Sequence, residues 1–361
     1  MYIDGEWQSA SGGKTFEVLN PADGAVITTV PDGAAVDARR AIEAADGAFG
    51  AWSRTTAYFR ADILQKAHRL MLERKEDLAR TLTGEQGKPI RAARIEVQYA
   101  ADFLQWFAEE AKRINGEILP SARDDQRFMV LRQPVGVVAA ITPWNYPISM
   151  ITRKVSPALA AGCTVVLKPA EATPLCAIEM FKIFEEAGVP KGAVNLVTAS
   201  DPKPIGAELT SHPAIRKLTF TGSTAVGKML AAEAAGRMKR VSMELGGHAP
   251  FIVCEDADPV HAAKGGSLVK FLNTGQACIS PNRFYVHRSN YDAFLETLTA
   301  RVSKMKAGSG FEDGVGIGPL VNEAAIEKVD GQVRDALTKG AKAFAGGAPL
   351  TDGALSKGHF Y

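Results

Sequence analysis

From Val135 to Leu245 the chain alternates short apolar runs with longer amphipathic ones, and that alternation restricts the fold more than any other feature. "VGVVAAI" reads as a buried strand and "PISMITRKVSPALAAG" as a helix. "TVVLKP", "AVNLVT", "IRKLTFTG" and "KRVSMEL" read as further strands. "PLCAIEMFKIFEEAG", "KPIGAELTSHP" and "STAVGKMLAAEAAG" are the helices between them. Strands alternating with helices imply βαβ units and a parallel sheet with helices on both faces. Ligands bind such sheets beyond the carboxyl ends of the strands. The loops "TPWNYP", "KPAEATP", "FTGST" and "MELGG" are therefore expected to open on one side.

The flanks are read in the same way. Residues 1–30 look extended, and a helix follows with Asp32 as N-cap. The stretch from Thr56 to Thr83 carries apolar residues at helical intervals, and another helix follows Pro89. Residues 117–134 suggest a β-hairpin. From Ala249 a second α/β unit begins. It has strands at "APFIVC" and "NRFYVH", helices after each, a helix near 322–340 and a short strand at "KAFAGG".

With 361 residues, two domains or more are expected. Lys+Arg 42 against Asp+Glu 40 gives a net charge of +2, with no block of like charge. Electrostatics thus offers no reason to expect nucleic acid or an anionic membrane as partner. Mean hydropathy is -0.05, and no apolar run approaches the ~18 residues of a membrane span. The opening residues lack the basic-then-apolar pattern of a signal peptide. The four cysteines, Cys163, Cys176, Cys254 and Cys278, match no zinc ribbon, C-x-x-C pair or disulfide framework. No metal is expected, and a reduced, cytoplasmic setting is the simplest reading.

Several short segments could carry chemistry, and each also has a plain structural reading. Cys278 in "FLNTGQACIS" sits among small residues that give a thiolate nucleophile access, yet a buried loop cysteine is as good a reading. Glu244 in "MELGGHAP" could serve as a general base on water, although most glutamates are solvated surface charges. "TFTGSTAVG" leads a glycine turn into a helix whose free N–H groups could receive a pyrophosphate. Gly222 as turn residue and Ser223 or Thr224 as N-cap is the plainer reading. Lys168 and Glu171 in "LKPAEATP" could hold ribose hydroxyls or form a loop salt bridge. Asn145 in "TPWNYP" could donate to an oxyanion or simply shape a turn.

Taken in order and at these intervals, "TPWNYP", "KPAEATP", "FTGST", "MELGG" and "NTGQAC" resemble the aldehyde dehydrogenase superfamily. The resemblance spans the chain from "DGEW" to "GHFY". "MITRKV" and "GCTVVLKPAE" are similar to the succinate-semialdehyde dehydrogenase-like group.

The resemblance implies an α/β fold with a Rossmann-like parallel-sheet cofactor domain at 1–116 and 135–247. It also implies an oligomerisation hairpin at 117–134 and an incomplete α/β catalytic domain at 248–361. It implies oxidation of an aldehyde to the acid with reduction of NAD. Cys278 would be the nucleophile, passing through a thiohemiacetal and a thioester. Asn145 and the Cys278 N–H would hold the oxyanion, Glu244 would activate water, and Lys154 would pass its proton on. Trp144, Lys168, Pro169, Ala170, Glu171, Gly222, Ser223 and Leu245 match positions that line the cofactor. A carboxylate at Glu171 would repel a 2′-phosphate, favouring NAD, with NADP as the alternative.

Arg153 matches an arginine that binds the substrate carboxylate, but Leu272 stands where its usual companion arginine would be. Succinate semialdehyde is therefore less expected than a differently anchored aldehyde. Ser280 replaces a second loop cysteine used by some members as a redox switch. Because family members continue further, a C-terminally truncated, poorly active chain is expected, with homo-oligomers formed by the complete protein. Acylating relatives release their thioester to coenzyme A, but they usually lack the carboxylate found at Glu244. The other alternative is a non-catalytic or fragmentary protein of the same fold that only binds nucleotide.

Overall fold

A computed structural model describes residues 1–361. The chain divides into two compact units, residues 1–16, 29–78 and 96–244, and residues 17–28, 79–95 and 245–361.

The first unit is built on a sheet of seven strands. Their order is Arg240–Leu245, Ile215–Gly222, Val137–Ile141, Thr164–Lys168, Val194–Leu196, Tyr2–Ile3 and Glu6–Trp7. The run from Ile215–Gly222 to Val194–Leu196 is parallel, whereas Tyr2–Ile3 joins antiparallel at one side. Parallel strands covered on both faces must be apolar along their whole length, not on alternate residues. Val165, Val166, Leu167 and Leu196 are accordingly buried without alternation. The helices fall into two packed groups. Ala35–Trp52, Pro202–Ser211 and Thr224–Ala235 form one, and Ala57–Glu73, Pro147–Ala160 and Leu175–Ala187 form the other. Ala38, Ala41 and Ala45 let the first helix lie close on the sheet, while Phe181 and Phe184 fill the core beneath another.

Register fixes where the loops leave. Ile141 pairs with both Lys168 and Phe220. The segments beginning at Thr142, Pro169 and Thr221 therefore depart from the same edge of the sheet.

The second unit has a smaller core. Strands Pro250–Val253 and Arg283–Val286 pair in parallel, and helices Pro259–Lys270 and Tyr291–Val302 pack together. Val253, Ala263 and Phe294 are fully enclosed, with Phe251, Phe284 and Leu298 around them. Ile252 and Tyr285 on the strands, and every residue of helix Glu323–Thr338, stay at least partly open to solvent. No helix is long and apolar enough to cross a membrane.

Three local expectations are corrected. Asp32 does not cap the first helix, because its carboxylate accepts from Ser200 N and Oγ at 2.8 and 2.9 Å. Asp37, three residues into the turn, reaches back to Ala34 N instead. The stretch Thr56–Thr83 is two helices, Ala57–Glu73 and Lys75–Gln86, broken where Arg74 leaves helical geometry at φ -100 and ψ 17. "KAFAGG" forms no strand, because Gly346 and Gly347 take left-handed φ of 63° and 87°. The hairpin pairs Glu117–Leu119 with Phe128–Val130 and leaves Ile118, Phe128 and Met129 exposed.

Candidate active site and dinucleotide cradle

Helix Pro147–Ala160 starts directly after "TPWNY", with Pro147 in its first turn, where a missing N–H costs nothing. The buried carboxylate of Glu96 accepts from Ser149 N at 3.2 Å and Ser149 Oγ at 3.3 Å, anchoring that turn. Asn145 and Trp144 lie just ahead of it, half-buried. Successive residues on a helix point about 100° apart. One turn further along, Arg153 is therefore exposed while Lys154 is buried.

Lys154 donates to Thr219 Oγ1 at 3.1 Å. Its pKa is pushed down to about 8, first by burial and then by the neighbouring charge of Arg153. Glu244 opposes the shift, and Lys217 adds to it. Arg153 Nη2 lies 3.6 Å from Glu244 Oε1. Three of the residues singled out by the sequence, Arg153, Lys154 and Glu244, are thus electrostatically coupled within the first unit.

Along the sheet edge, Lys168 Nζ meets Glu171 Oε2 at 2.9 Å, with Lys168 buried and Glu171 exposed. Pro169 and Ala170 form the buried turn between them. Gly222 passes over the buried Phe220 ring so closely that a Cβ would stand 2.4 Å from Phe220 Cζ. Ser223 Oγ then accepts from Val226 N at 3.3 Å and caps helix Thr224–Ala235. A side-chain-free turn and a helix start leave from one strand end, and a carboxylate–ammonium pair leaves from the strand end on the other side of Val137–Ile141. This donor set fits an elongated, doubly phosphorylated nucleotide. Leu245 is half-buried at the end of strand Arg240–Leu245. Gly222→Ala is expected to cost roughly 1–3 kcal/mol, because the added methyl would overlap the buried Phe220 ring. Denaturant unfolding should report the loss, and dinucleotide binding should weaken with it.

Cys278 lies in the second unit, on an exposed turn after helix Pro259–Lys270. The preceding residues Asn273, Thr274 and Gly275 all have left-handed φ, at 49°, 59° and 77°. Such a backbone persists only when its surroundings hold it. Thr274 Oγ1 donates to Gly318 O at 3.3 Å and accepts from Gly318 N at 2.9 Å. Gln276 Nε2 donates to Asn273 O and Pro319 O, and Gln276 Oε1 accepts from Val321 N at 3.1 Å. On the far side, Ser280 Oγ donates to Lys270 O at 3.0 Å. The thiol is therefore presented to solvent from a loop pinned on both sides.

Sequence reasoning did not find Thr219, Glu96, Thr274 or Gln276. Apart from the local Gln276–Asn273 bond, the partners they hold lie between 43 and 65 residues away, and no short spacing links them. No group of three or more His, Cys, Asp or Glu is placed to hold a metal ion.

Comparison with known proteins places the sequence and the fold in one family. The model of the aldehyde dehydrogenase family matches residues 7–361. A glutarate-semialdehyde dehydrogenase of Pseudomonas aeruginosa is 52% identical over 348 residues, covering 96% of this chain and 72% of that protein. The NADP(+) succinate-semialdehyde dehydrogenase of Escherichia coli is 50% identical over 345 residues, covering 96% and 71%. A crystal structure of an E. coli NADP-dependent enzyme superposes with a TM-score of 0.97 at 49% identity, over 100% of this chain and 74% of that one. By sequence over nearly its whole length, and by fold, the chain belongs to the aldehyde dehydrogenase family.

Proposed function

We propose that this protein oxidises an aldehyde that carries a distal carboxylate to the corresponding acid, with NAD or NADP as electron acceptor. The observation that carries this reading is the solvent-facing Cys278 thiol on a loop held rigid by Thr274, Gln276 and Ser280. Semialdehyde dehydrogenases at about half identity support the substrate class.

Cys278 attacks the aldehyde carbon as the thiolate, forming a C–S bond while the carbonyl π pair moves to oxygen. The Asn145 amide and the Cys278 N–H stabilise that oxyanion. When bound, the nicotinamide supplies the hydride acceptor that takes the thiohemiacetal to the thioester level. Glu244 accepts a proton from water as the water attacks the thioester carbonyl. The acid departs, and the Cys278 thiolate is restored. Lys154, whose pKa of about 8 lets it exist in both protonation states near neutrality, takes the proton on from Glu244. Arg153 holds the substrate's carboxylate. With Leu272 six residues before Cys278, that acid group meets one arginine rather than two.

The dinucleotide would be held by Trp144, Lys168, Pro169, Ala170, Glu171, Gly222, Ser223 and Leu245. Residues 1–116 and 135–247 serve as the cofactor domain, 248–361 as the catalytic domain and 117–134 as the element through which copies associate. Glu171 disfavours a 2′-phosphate by charge repulsion and so directs the preference toward NAD, although Lys168 partly neutralises it. Glu171→Ser is expected to raise the NADP-to-NAD ratio of kcat/KM by about tenfold, and an unchanged ratio removes the charge argument.

The direct test is a panel of neutral and carboxylate-bearing aldehydes followed by nicotinamide absorbance, with product analysis in the presence and absence of coenzyme A. Free acid in both cases supports hydrolysis through Glu244. Thioester formation with coenzyme A, or no turnover alongside intact dinucleotide binding, overturns it.

A further inference from the structure

Arg153 stands between two partners on the surface of the first unit. Its Cζ lies 6.0 Å from the centroid of the Phe103 ring, and its Nη2 lies 3.6 Å from Glu244 Oε1. At that separation the Glu244 contact is an ion pair without a hydrogen bond. The two side chains are 41% and 57% exposed. Exposed pairs of this kind contribute about 0–1 kcal/mol. A carboxylate meeting the same guanidinium end-on, through two parallel N–H···O bonds, is held more firmly, because each charge-assisted bond is roughly twice as strong as a neutral one. Arg153 therefore has a weak resident partner and the capacity for a stronger visiting one. Beside this pair, the buried Lys154 keeps Glu244 close to a second cation, so leaving Arg153 does not strand the carboxylate without a counter-charge.

We infer that Arg153 is shared between Glu244 and the acid group of the substrate, so that arrival of that acid group displaces Glu244 and frees it to act on water. The inference rests on the roles of Arg153 and Glu244 proposed above, and it adds a coupling between them. In this arrangement Arg153 is a positioning residue for Glu244 as well as an acid-binding one. A neutral aldehyde would leave Glu244 tethered, and an acidic one would release it. Discrimination would then lie in the hydrolytic step as well as in binding.

The experiment is a titration of the purified protein with glutarate, followed by ligand-observed NMR, on wild type, Glu244→Gln, Arg153→Gln and the double variant. Thermal unfolding of each variant checks that it is folded. Removing the internal competitor is expected to tighten glutarate binding about three- to fivefold in Glu244→Gln, the equivalent of an exposed pair near the top of its range. Arg153→Gln is expected to weaken binding by at least about tenfold. In the Arg153→Gln background, Glu244→Gln should have almost no effect. A tightening of equal size in both backgrounds would mean general charge repulsion and would overturn the coupling, as would unchanged affinity in Glu244→Gln. Binding insensitive to Arg153→Gln would overturn the acid-binding role of Arg153 itself, and the coupling with it. Should Arg153→Gln fail to fold, Arg153→Lys takes its place in the cycle. It keeps the charge but loses the two-pronged contact, so the gain from Glu244→Gln should shrink relative to arginine, and a full-sized gain would refute the competition.

Discussion

Cys278→Ala is expected to lower aldehyde oxidation by at least about 10³-fold while dinucleotide binding stays within about twofold of wild type. The separation follows from where the thiol sits. Cys278 belongs to the second unit, whereas the residues assigned to the dinucleotide belong to the first, Leu245 excepted. Removing one sulfur from an exposed turn leaves the strand ends and the Gly222–Phe220 contact untouched. The other cysteines act as internal controls. Cys163 and Cys176 are buried, and burial pushes the Cys163 thiol up, away from a reactive thiolate. Cys254 is exposed, but it lies at the end of a core strand, where its carbonyl receives Asn290 Nδ2 at 2.9 Å. Cys254→Ala should therefore keep the wild-type rate. Steady-state rates with a saturating aldehyde, together with dinucleotide binding by fluorescence or calorimetry, measure both halves of the expectation. A Cys278→Ala protein that still oxidises aldehydes at the wild-type rate would end the nucleophile assignment.

How far the fold could be read in advance depended on the range of the interaction that decides each element. The strands at 137–141 and 164–168 are legible because a covered parallel strand needs a run of consecutive apolar residues, whereas 215–222, which carries Arg216 and Lys217, is legible only from its place in the strand–helix rhythm. Asp32 looks like a cap by type, but Ser200, far along the chain, claims its carboxylate. The two glycines of "KAFAGG" outweigh its apolar character, since left-handed φ at Gly346 and Gly347 turns the chain. The same division runs through the site. Lys168 and Glu171, three residues apart, are legible as a pair. Lys154 with Thr219, and Gln276 with Val321, are tertiary pairs that only the folded sheet and loop bring together. Motif order could suggest which residues act, but not that Glu244 rests against Arg153.

The buried ammonium of Lys154 leads to the second large expectation, a stability that depends on pH in a defined window. Its pKa in the fold is about 8 against 10.5 for a free lysine. Below about pH 8 both folded and unfolded chains carry the proton, and the folded state bears the full cost of burying the charge. Between pH 8 and 10.5 the folded chain has released it while the unfolded chain still holds it. The unfolded state then binds more protons, so stability rises with pH through this window. Lys154→Met keeps the length and apolar stem but removes the charge. At pH 7 it should be more stable than wild type by about 2 kcal/mol, less than the full pKa displacement because Thr219 loses its partner. That advantage should narrow by roughly 1.4 kcal/mol per pH unit above pH 8, vanish near about pH 9.5 and reverse toward pH 10.5. Denaturant unfolding of both proteins at several pH values from 7 to 10.5 would trace the gap. A Lys154→Met protein less stable than wild type at every pH, with a gap that does not change, would mean that the ammonium is not held at a cost. Glu244→Gln supplies the electrostatic counterpart. Glu244 is an anionic neighbour that favours the charged lysine, so its neutralisation should drive the Lys154 pKa further down, a shift readable by NMR of labelled lysine. A site that keeps a costly ammonium beside Glu244, the proposed general base, gives up stability near neutral pH for a group able to exchange protons there, and this pair of variants measures both sides of that exchange.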